Sequence, residues 1–388
     1  MAGSLPLSGI KVLDLSRVLA GPTCGMVLGD FGADVIKLEH PVRGDDTRDW
    51  GSRIGQNGSA YHHSVNRNKR SVAADLGTAE GQGVARALAR DADVVIQNFK
   101  AGGAERLGLG FADLTAEKPD LIYCSISGYD PSGSEATRPG YDLVIQGEAG
   151  LMALNGEPTQ PPLKFGVAVV DMFTGMYAAQ AVLAALFERQ RTGRGKLIQM
   201  ALFDCGLMIS AYYGLEALMA GSDPARCGNE HPSVVPYGVF DAADGKLVIT
   251  VGNNAQFARF CREIIDRPAL ADDPRFITNV ARSANRVALS EILRVELGRR
   301  SRETLLAGLA RAGIPCGEVL GLHAALTSVR ARDSGLVTMQ PIGQPGGNDG
   351  SAPVLAPPYR LDGARLPVRR PPPGLGQHTE EILARLWG

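Results

Sequence analysis

The stretch GIKVLDLSRVLAGPTCGMVLGDFGADVIKLE, residues 9–39, decides the fold class. Ile10–Leu15 reads as a strand, Gly21 and Pro22 break it into a loop, a short helix opens near Thr23, and Asp34–Glu39 reads as a second strand. That order is a βαβ unit. It repeats as strand Ser71–Leu76, helix Thr78–Arg90, strand Val94–Asn98, a helix near Ala104–Leu107, and strand Leu121–Ser127 behind the helix-stopping Lys118-Pro119. Strands that alternate with helices predict an α/β chain with a mainly parallel sheet of Rossmann type. Ligands of such sheets sit beyond the carboxyl ends of the strands. Chemistry is therefore expected on the loops after Leu15, Glu39, Asn98 and Ser127.

Beyond Gly140 the pattern changes. A glycine-rich stretch leads through the apolar run Val167–Val170 to a long alanine-rich helix from Asp171 to about Arg191, stopped by Thr192-Gly193. From Cys227 to Arg330 two strands, Pro236–Asp241 and Lys246–Val251, meet across Asp244-Gly245, and helical segments follow near Gln256–Ile265, Ala284–Gly298 and Ser301–Ala312. We read residues 1–226 as a large domain with a central helix, 227–330 as a smaller α+β domain, and 331–388 as a C-terminal segment ending in a helix from His378.

Composition narrows the function. With 40 Lys plus Arg against 41 Asp plus Glu, the formal charge of -1 gives no electrostatic reason to expect nucleic acid or an anionic membrane as partner. Any bound anion must be held locally. Six scattered cysteines without a CxxC pair argue against structural zinc and disulfides and fit a reducing, cytoplasmic setting. The N-terminus lacks a signal-peptide pattern, and the apolar segment Ala178–Phe187 is read as too short to span a bilayer.

Asp171 carries two readings. As a plain helix N-cap it would satisfy free backbone N–H groups. As a functional group its carboxylate, ordinarily near pKa ~3.9, would be kept ionised by those same donors and aimed into a cleft as a covalent nucleophile. Tyr141-Asp142, in the glycine-bracketed run PGYDLVIQGEAG, is either a capping element or a phenol and second acid beside that helix. Arg67, Lys69 and Arg70 are a solvated face or a place where phosphates dock. Arg106, before Leu107-Gly108-Leu109-Gly110, reads the same two ways. His62-His63 lack the partners a metal requires and read as loop histidines, so no metal is expected. No GxGxxG, GxxxxGK[ST] or GxSxG is present, which removes the usual support for NAD, ATP or serine hydrolysis.

Taken together, these residues resemble the class III CoA-transferase family nearly end to end. The matching runs include LSGIKVLDLSRVLAGP (7–22), FGADVIKLEHPVRGDDTRDWG (31–51), SVNRNKRSV (64–72), QNFKAGG (97–103), PGYD (139–142), GVAVVDMFTGMYAAQAVLAAL (166–186), RTGRGKLIQMALFD (191–204) and PPPGLGQHTEEIL (371–383). The resemblance implies a large Rossmann-type domain built from both chain ends, a small domain between them, and an interlocked homodimer. It implies acyl-CoA and a carboxylic acid as substrates, with no tightly bound cofactor, no metal and no ATP. Asp171 falls at the family's catalytic aspartate, which attacks the thioester to give a mixed anhydride and free CoA thiolate. Tyr141 and Asp142 match further active-site positions, Asp142 standing where some members have glutamate.

Val18, Leu19, Ala20, Asn98 and Arg106 match the CoA-binding region, and Lys69 and Arg70 join it as the phosphate candidates above. His40 replaces an arginine found in some members at the adenine end. Leu19 stands where formyl-CoA/oxalate enzymes carry glutamine, and VGNNAQF (251–257) lacks their glycine run, which argues against oxalate. Within the family the resemblance is nearest to the succinyl-CoA:glutarate type, through RVLAGP, GDDTR, HPSVVPYGVF, VGNNAQF and RPPPGLGQHT. It points to succinyl-CoA as donor and a C4–C6 dicarboxylate as acceptor, glutarate or a hydroxylated relative first; Arg17 and Arg48 are each either the partner of its distal carboxylate or a structural ion pair. The alternative is an α-methylacyl-CoA racemase-type isomerase, which uses a histidine where this chain has Tyr141. A CoA-binding protein without catalysis would have lost Asp171.

Overall fold

The computed structural model describes residues 5–55, 58–342 and 350–387. Two compact units divide the chain. The first takes in 1–151, 164–222 and 328–388, and the second 152–163 and 223–327.

In the first unit, strands β1 (Lys11–Asp14), β2 (Asp34–Glu39), β3 (Lys69–Ala73), β4 (Val94–Gln97), β5 (Ile122–Ser127) and β6 (Lys196–Ala201) form one sheet in the order β3-β2-β1-β4-β5-β6. Every neighbouring pair is parallel. Both faces are covered. The period of two splits alternate strand residues between two cores: Val12, Val94, Ile96, Ile122 and Cys124 face one way, and Leu13, Val95 and Tyr123 the other. On the first face lie helices α1 (Ala20–Asp30) and, further along the chain, the long Val169–Thr192. On the second face lie α3 (Ala79–Asp91), preceded in the chain by the short α2 (Ala60–Ser64), then α4 (Gly103–Arg106), α5 (Phe111–Glu117) and the last helix, Thr379–Trp387. A strand valine such as Val95, fully buried, contributes roughly 1.5–3 kcal/mol by leaving water.

Helix α1 opens at Ala20 rather than Thr23. Pro22 sits inside its first turn, where the missing N–H has no helical partner to lose. All eleven residues of α1 are buried, which requires close approach: a Cβ on Gly21 would lie 2.2 Å from Ser16 Oγ. β3 also begins two residues earlier than the sequence indicates, so Lys69 and Arg70 are strand residues.

Between β5 and β6 come α6 (Asp142–Glu148), α7 (Leu151–Leu154) and α8, the 24-residue helix Val169–Thr192. Gly193 ends α8 in the left-handed region at φ 66°, donating its N–H to Arg189 O. Length and hydropathy alone would let α8 cross a bilayer, so shortness does not exclude that role, contrary to the sequence reading. Its Val170, Ala178, Ala179, Val182 and Leu186 are buried in the core beside the sheet. After β6, α9 (Leu202–Ile209) and α10 (Ala211–Ala220) follow; α10 has no buried residue. The C-terminal segment is stitched to β3: His378 N donates to Ser71 O, and Ala73 N donates to Thr379 Oγ1.

The second unit has its own core. Strands β7 (Tyr237–Ala242), β8 (Gly245–Thr250) and β9 (Cys316–Glu318) form an antiparallel sheet, β9 being absent from the sequence reading. Phe257, Phe260, Phe276, Leu289, Leu293 and Leu309 fill the space beside it. The helix expected over Gln256–Ile265 divides into Asn254–Arg259 and a wider π turn, Phe260–Ile264.

Candidate active site

The sheet's connections run one way from β1 to β2 and β3 and the other way from β4 to β5 and β6, which leaves a crevice where β1 and β4 part. A cavity of about 450 Å³ opens there. Its walls are Arg17–Ala20 after β1, Asn98–Ala101 after β4, Ser127 and Gly128 after β5, the run Arg138–Tyr141, and Asp171. Asp46, from the loop after β2, completes the four loops that the sequence marks for chemistry.

Asp171 is buried, 7% exposed, in the first turn of α8. It is not the N-cap, a position held by Ala168. The amides that the sequence assigned to Asp171 go to Asp142, whose Oδ1 accepts from Val170 N (2.8 Å) and Asp171 N (3.3 Å). No donor among the described residues reaches the Asp171 carboxylate. Burial, and then the negative charge of Asp142, push its pKa up to about 7. The expectation that helix N–H groups keep it ionised is thus corrected: at neutral pH this acid is poised between its two forms.

Tyr141 precedes α6 and is 61% exposed at the cavity wall. Backbone contact fixes its segment, since a Cβ on Gly128 would sit 2.6 Å from Gly140 Cα. Val18 holds φ 72°, rare for a β-branched residue. Its N–H is shared by both oxygens of Asp45 at 3.3 Å, and Asp45 is itself paired with the buried Lys37 at 2.9 Å. Burial opposes charge on Asp45, but Lys37 and the Thr47 donors hold its pKa well below the usual carboxylate range. This anchored ion pair keeps Val18 strained and sets the path into Leu19 and Ala20, the uncapped start of α1. Asn98 locks the opposite wall to it, accepting from Arg17 N at 2.9 Å and donating to Arg17 O at 2.8 Å.

The basic residues divide sharply. Arg106 lines the cavity, is exposed, and has no carboxylate partner among the described residues. Arg17 also lines it, its guanidinium 3.2 Å from Asp46. Lys69 and Arg70 do not face ligand: Lys69 Nζ is fully buried on Asp14 (2.8 Å), Pro22 O and Asn66, and Arg70 pairs with Asp34 (2.5 Å) and Glu381 (3.0 Å). Arg48 is likewise removed from the carboxylate-binding role. It is buried against Glu39 at 2.7 Å and donates to Pro373 O. Lys69 and Arg48 neutralise acids that the sheet has buried, Asp14 and Glu39, and burial of those acids without a partner would be costly. His40 lies outside the cavity lining, with Nδ1 accepting from Val42 N and Arg43 N. His62 and His63 lie in helix α2 rather than a loop, both buried. Burial and the nearby Arg48 lower the His63 pKa to about 4. No group of three or more potential metal ligands occurs among the described residues.

Three site residues escaped the sequence reading. Tyr61 packs against the buried cluster of Leu19, Met26 and Val65, which Val18 and Met172 also flank, and burial, then Asp171 and Asp142, raise the pKa of its phenol. Gln146 is 1% exposed and donates to Asp142 Oδ2 at 2.6 Å. Gly175, one turn beyond Asp171, lets α8 touch α1: a Cβ there would lie 2.5 Å from Ala20 O.

The sequence profile of CoA-transferase family III matches residues 7–379. The chain belongs to CoA-transferase family III. This transferase is 42% identical over 389 residues to the succinate–glutarate CoA-transferase of Agrobacterium fabrum, covering 98% of this chain and 96% of that one. It is 38% identical to the human succinyl-CoA:glutarate CoA-transferase, covering 97% and 85%. The crystal structure of a CAIB/BAIF family protein from Brucella suis, 42% identical, superposes with a TM-score of 0.87 over 99% of this transferase and 100% of that chain. A family III CoA-transferase acts on acyl-CoA, so the cavity at the β1/β4 crevice is the natural place to seek the thioester.

Proposed function

We propose that this transferase moves CoA from succinyl-CoA to a C4–C6 dicarboxylate, glutarate foremost, with Asp171 as the covalent nucleophile. The observation that carries the reading is a buried carboxylate that no donor among the described residues reaches, set in the wall of a cavity at the sheet's switch point. Such an anion keeps its charge on the attacking oxygens. An Asp171 oxygen adds to the thioester carbonyl, the C–S bond breaks, and CoA leaves as thiolate, giving a mixed anhydride. The thiolate then attacks the Asp171 carbonyl, releasing the first acid and leaving an aspartyl thioester. The second acid's carboxylate reverses the sequence: it displaces the thiolate, and the thiolate attacks the acceptor's acyl carbon, freeing Asp171. One thioester replaces another, so the exchange needs no external energy source.

Arg106 is the proposed partner of a CoA phosphate and Arg17 of the acceptor's distal carboxylate, the latter exchanging its contact with Asp46 for the ligand. The N–H groups at the uncapped start of α1 are the proposed donors to the tetrahedral oxyanion, a contribution of about 3 kcal/mol per donor. No histidine lines the cavity among the described residues, which favours transfer over α-proton exchange. We also propose a homodimer, because α10 presents Leu215, Leu218 and Met219 without burying any of them.

The test is mass-spectrometric detection of new CoA esters from succinyl-CoA mixed with glutarate, 3-hydroxy-3-methylglutarate, citramalate, mesaconate, itaconate or oxalate, without ATP. Glutaryl-CoA formed faster than the other esters is expected, and none with Asp171→Ala. Absence of transfer to every acid, with α-proton exchange in a 2-methylacyl-CoA, would overturn the reading.

A further inference from the structure

Gln146 is a buried polar side chain with each of its ends in use. Its Nε2 donates to Asp142 Oδ2 at 2.6 Å and reaches Val167 O at 3.4 Å, while its Oε1 accepts from Phe165 N at 2.9 Å. Asp142 in turn spends its other oxygen on the Val170 and Asp171 amides. One amide therefore ties together the acid on α6 and the segment that enters α8.

We propose that Gln146 is a positioning residue for the transfer reaction: it clamps Asp142 onto the first amides of α8 and thereby holds Asp171 at the cavity wall, away from any donor of its own. The inference rests on Asp171 being the nucleophile. Two consequences follow from the geometry. A primary amide can donate to Asp142 and accept from Phe165 N at once, which neither a carboxylate nor an apolar side chain can do at neutral pH. The clamp also decides how much negative charge Asp171 meets. The groups that act there are Asp142 from α6 and the Tyr61 phenol from α2; helix α9, packed against α8, carries the exposed Asp204 and the Cys205 thiol, whose pKa burial raises. Helix α1 brings no acid or base in its first turn.

Opposite shifts are expected from two replacements of similar size. In Gln146→Met, Asp142 loses its donor and is free to swing off the α8 amides, which takes its charge away from Asp171, so the pH midpoint of kcat/KM falls. In Gln146→Glu a second carboxylate faces Asp142, and the midpoint rises by about one pH unit. Both variants should lose kcat on the order of a hundredfold through misplacement of the nucleophile. KM for succinyl-CoA should stay within about twofold, since no CoA contact is removed.

The experiment is the pH profile of transfer from succinyl-CoA for wild type, both variants and Asp171→Asn. Midpoints displaced in opposite directions support the clamp. Wild-type midpoints, or a raised KM with unchanged kcat, would overturn it while Asp171→Asn remains inactive; an active Asp171→Asn would instead overturn the nucleophile itself. Should Gln146→Met fail to fold, the direction of the midpoint in Gln146→Glu decides alone.

Discussion

At the scale of single residues, Asp171 trades stability for reactivity. Its folded-state pKa near 7 exceeds the ordinary value of 3.8, so the native chain holds a proton there that the unfolded chain has released. The stability this group contributes is complete below the unfolded pKa and is lost as pH rises through about 7. Over the same interval the nucleophile becomes available, and kcat/KM is expected to rise through an apparent pKa near 7 in a profile from pH 5 to 9. Asp171→Asn should abolish transfer yet raise the unfolding free energy at pH 8 by on the order of 3–4 kcal/mol, a gain that calorimetry should find shrinking as pH falls towards 4. Two cations offer a contrast. Arg106→Ala should raise KM for acyl-CoA about tenfold with little change in kcat, because a phosphate contact is made equally in ground and transition states. Lys69→Met should leave KM alone and cost roughly 3–5 kcal/mol in denaturant titrations, because Asp14 would stay buried without its 2.8 Å ion-pair partner. Sequence could not separate these two: basic residues look alike until their burial is known. Asp171, Tyr141 and Asp142 stood out because glycines and a helix start flank them, whereas Gln146 carries no mark that distinguishes a buried clamp from a solvated helix residue.

At the scale of elements, the site depends on how closely α1 and α8 cross. Gly175 sits at that crossing, and a methyl group there meets the backbone oxygen of Ala20, which cannot move aside as a flexible side chain would. Gly175→Ala is expected to push the first turn of α1 away from Asp171, lowering kcat about a hundredfold and stability by roughly 1–3 kcal/mol. Steady-state kinetics and thermal unfolding measured together would show both losses. Strands β1 to β5 and helices α1, α3, α4 and α8 were legible because fully buried parallel strands read as apolar runs between glycine and proline breaks, whereas β6, whose outer residues are exposed, and helices α5, α6, α9 and α10 were not read. Boundaries were less so: α1 starts at Ala20 because a glycine-rich helix packed on every side carries no amphipathic signature, and β3 includes Lys69 and Arg70 because their charges are cancelled by acids distant in sequence. β9, three residues long, has too short a pattern to be seen.

At the scale of the whole molecule, the first unit draws on both ends of the chain, and the apolar face of α10 is exposed on it. Replacing Leu218 and Met219, 81% and 88% exposed, by glutamate should break the proposed homodimer. Light scattering after size-exclusion chromatography should then fall from twice the chain mass to once. Family membership was legible because it rests on many ordered runs rather than one motif, while the acid pair rests on few residues. In the proposed reaction Asp171 becomes covalently linked during transfer. Its most direct test is to add hydroxylamine during turnover of succinyl-CoA with glutarate and map the adduct by peptide mass spectrometry: a hydroxamate on Asp171 that needs acyl-CoA to form is predicted, and turnover that continues with Asp171 unmodified would contradict it.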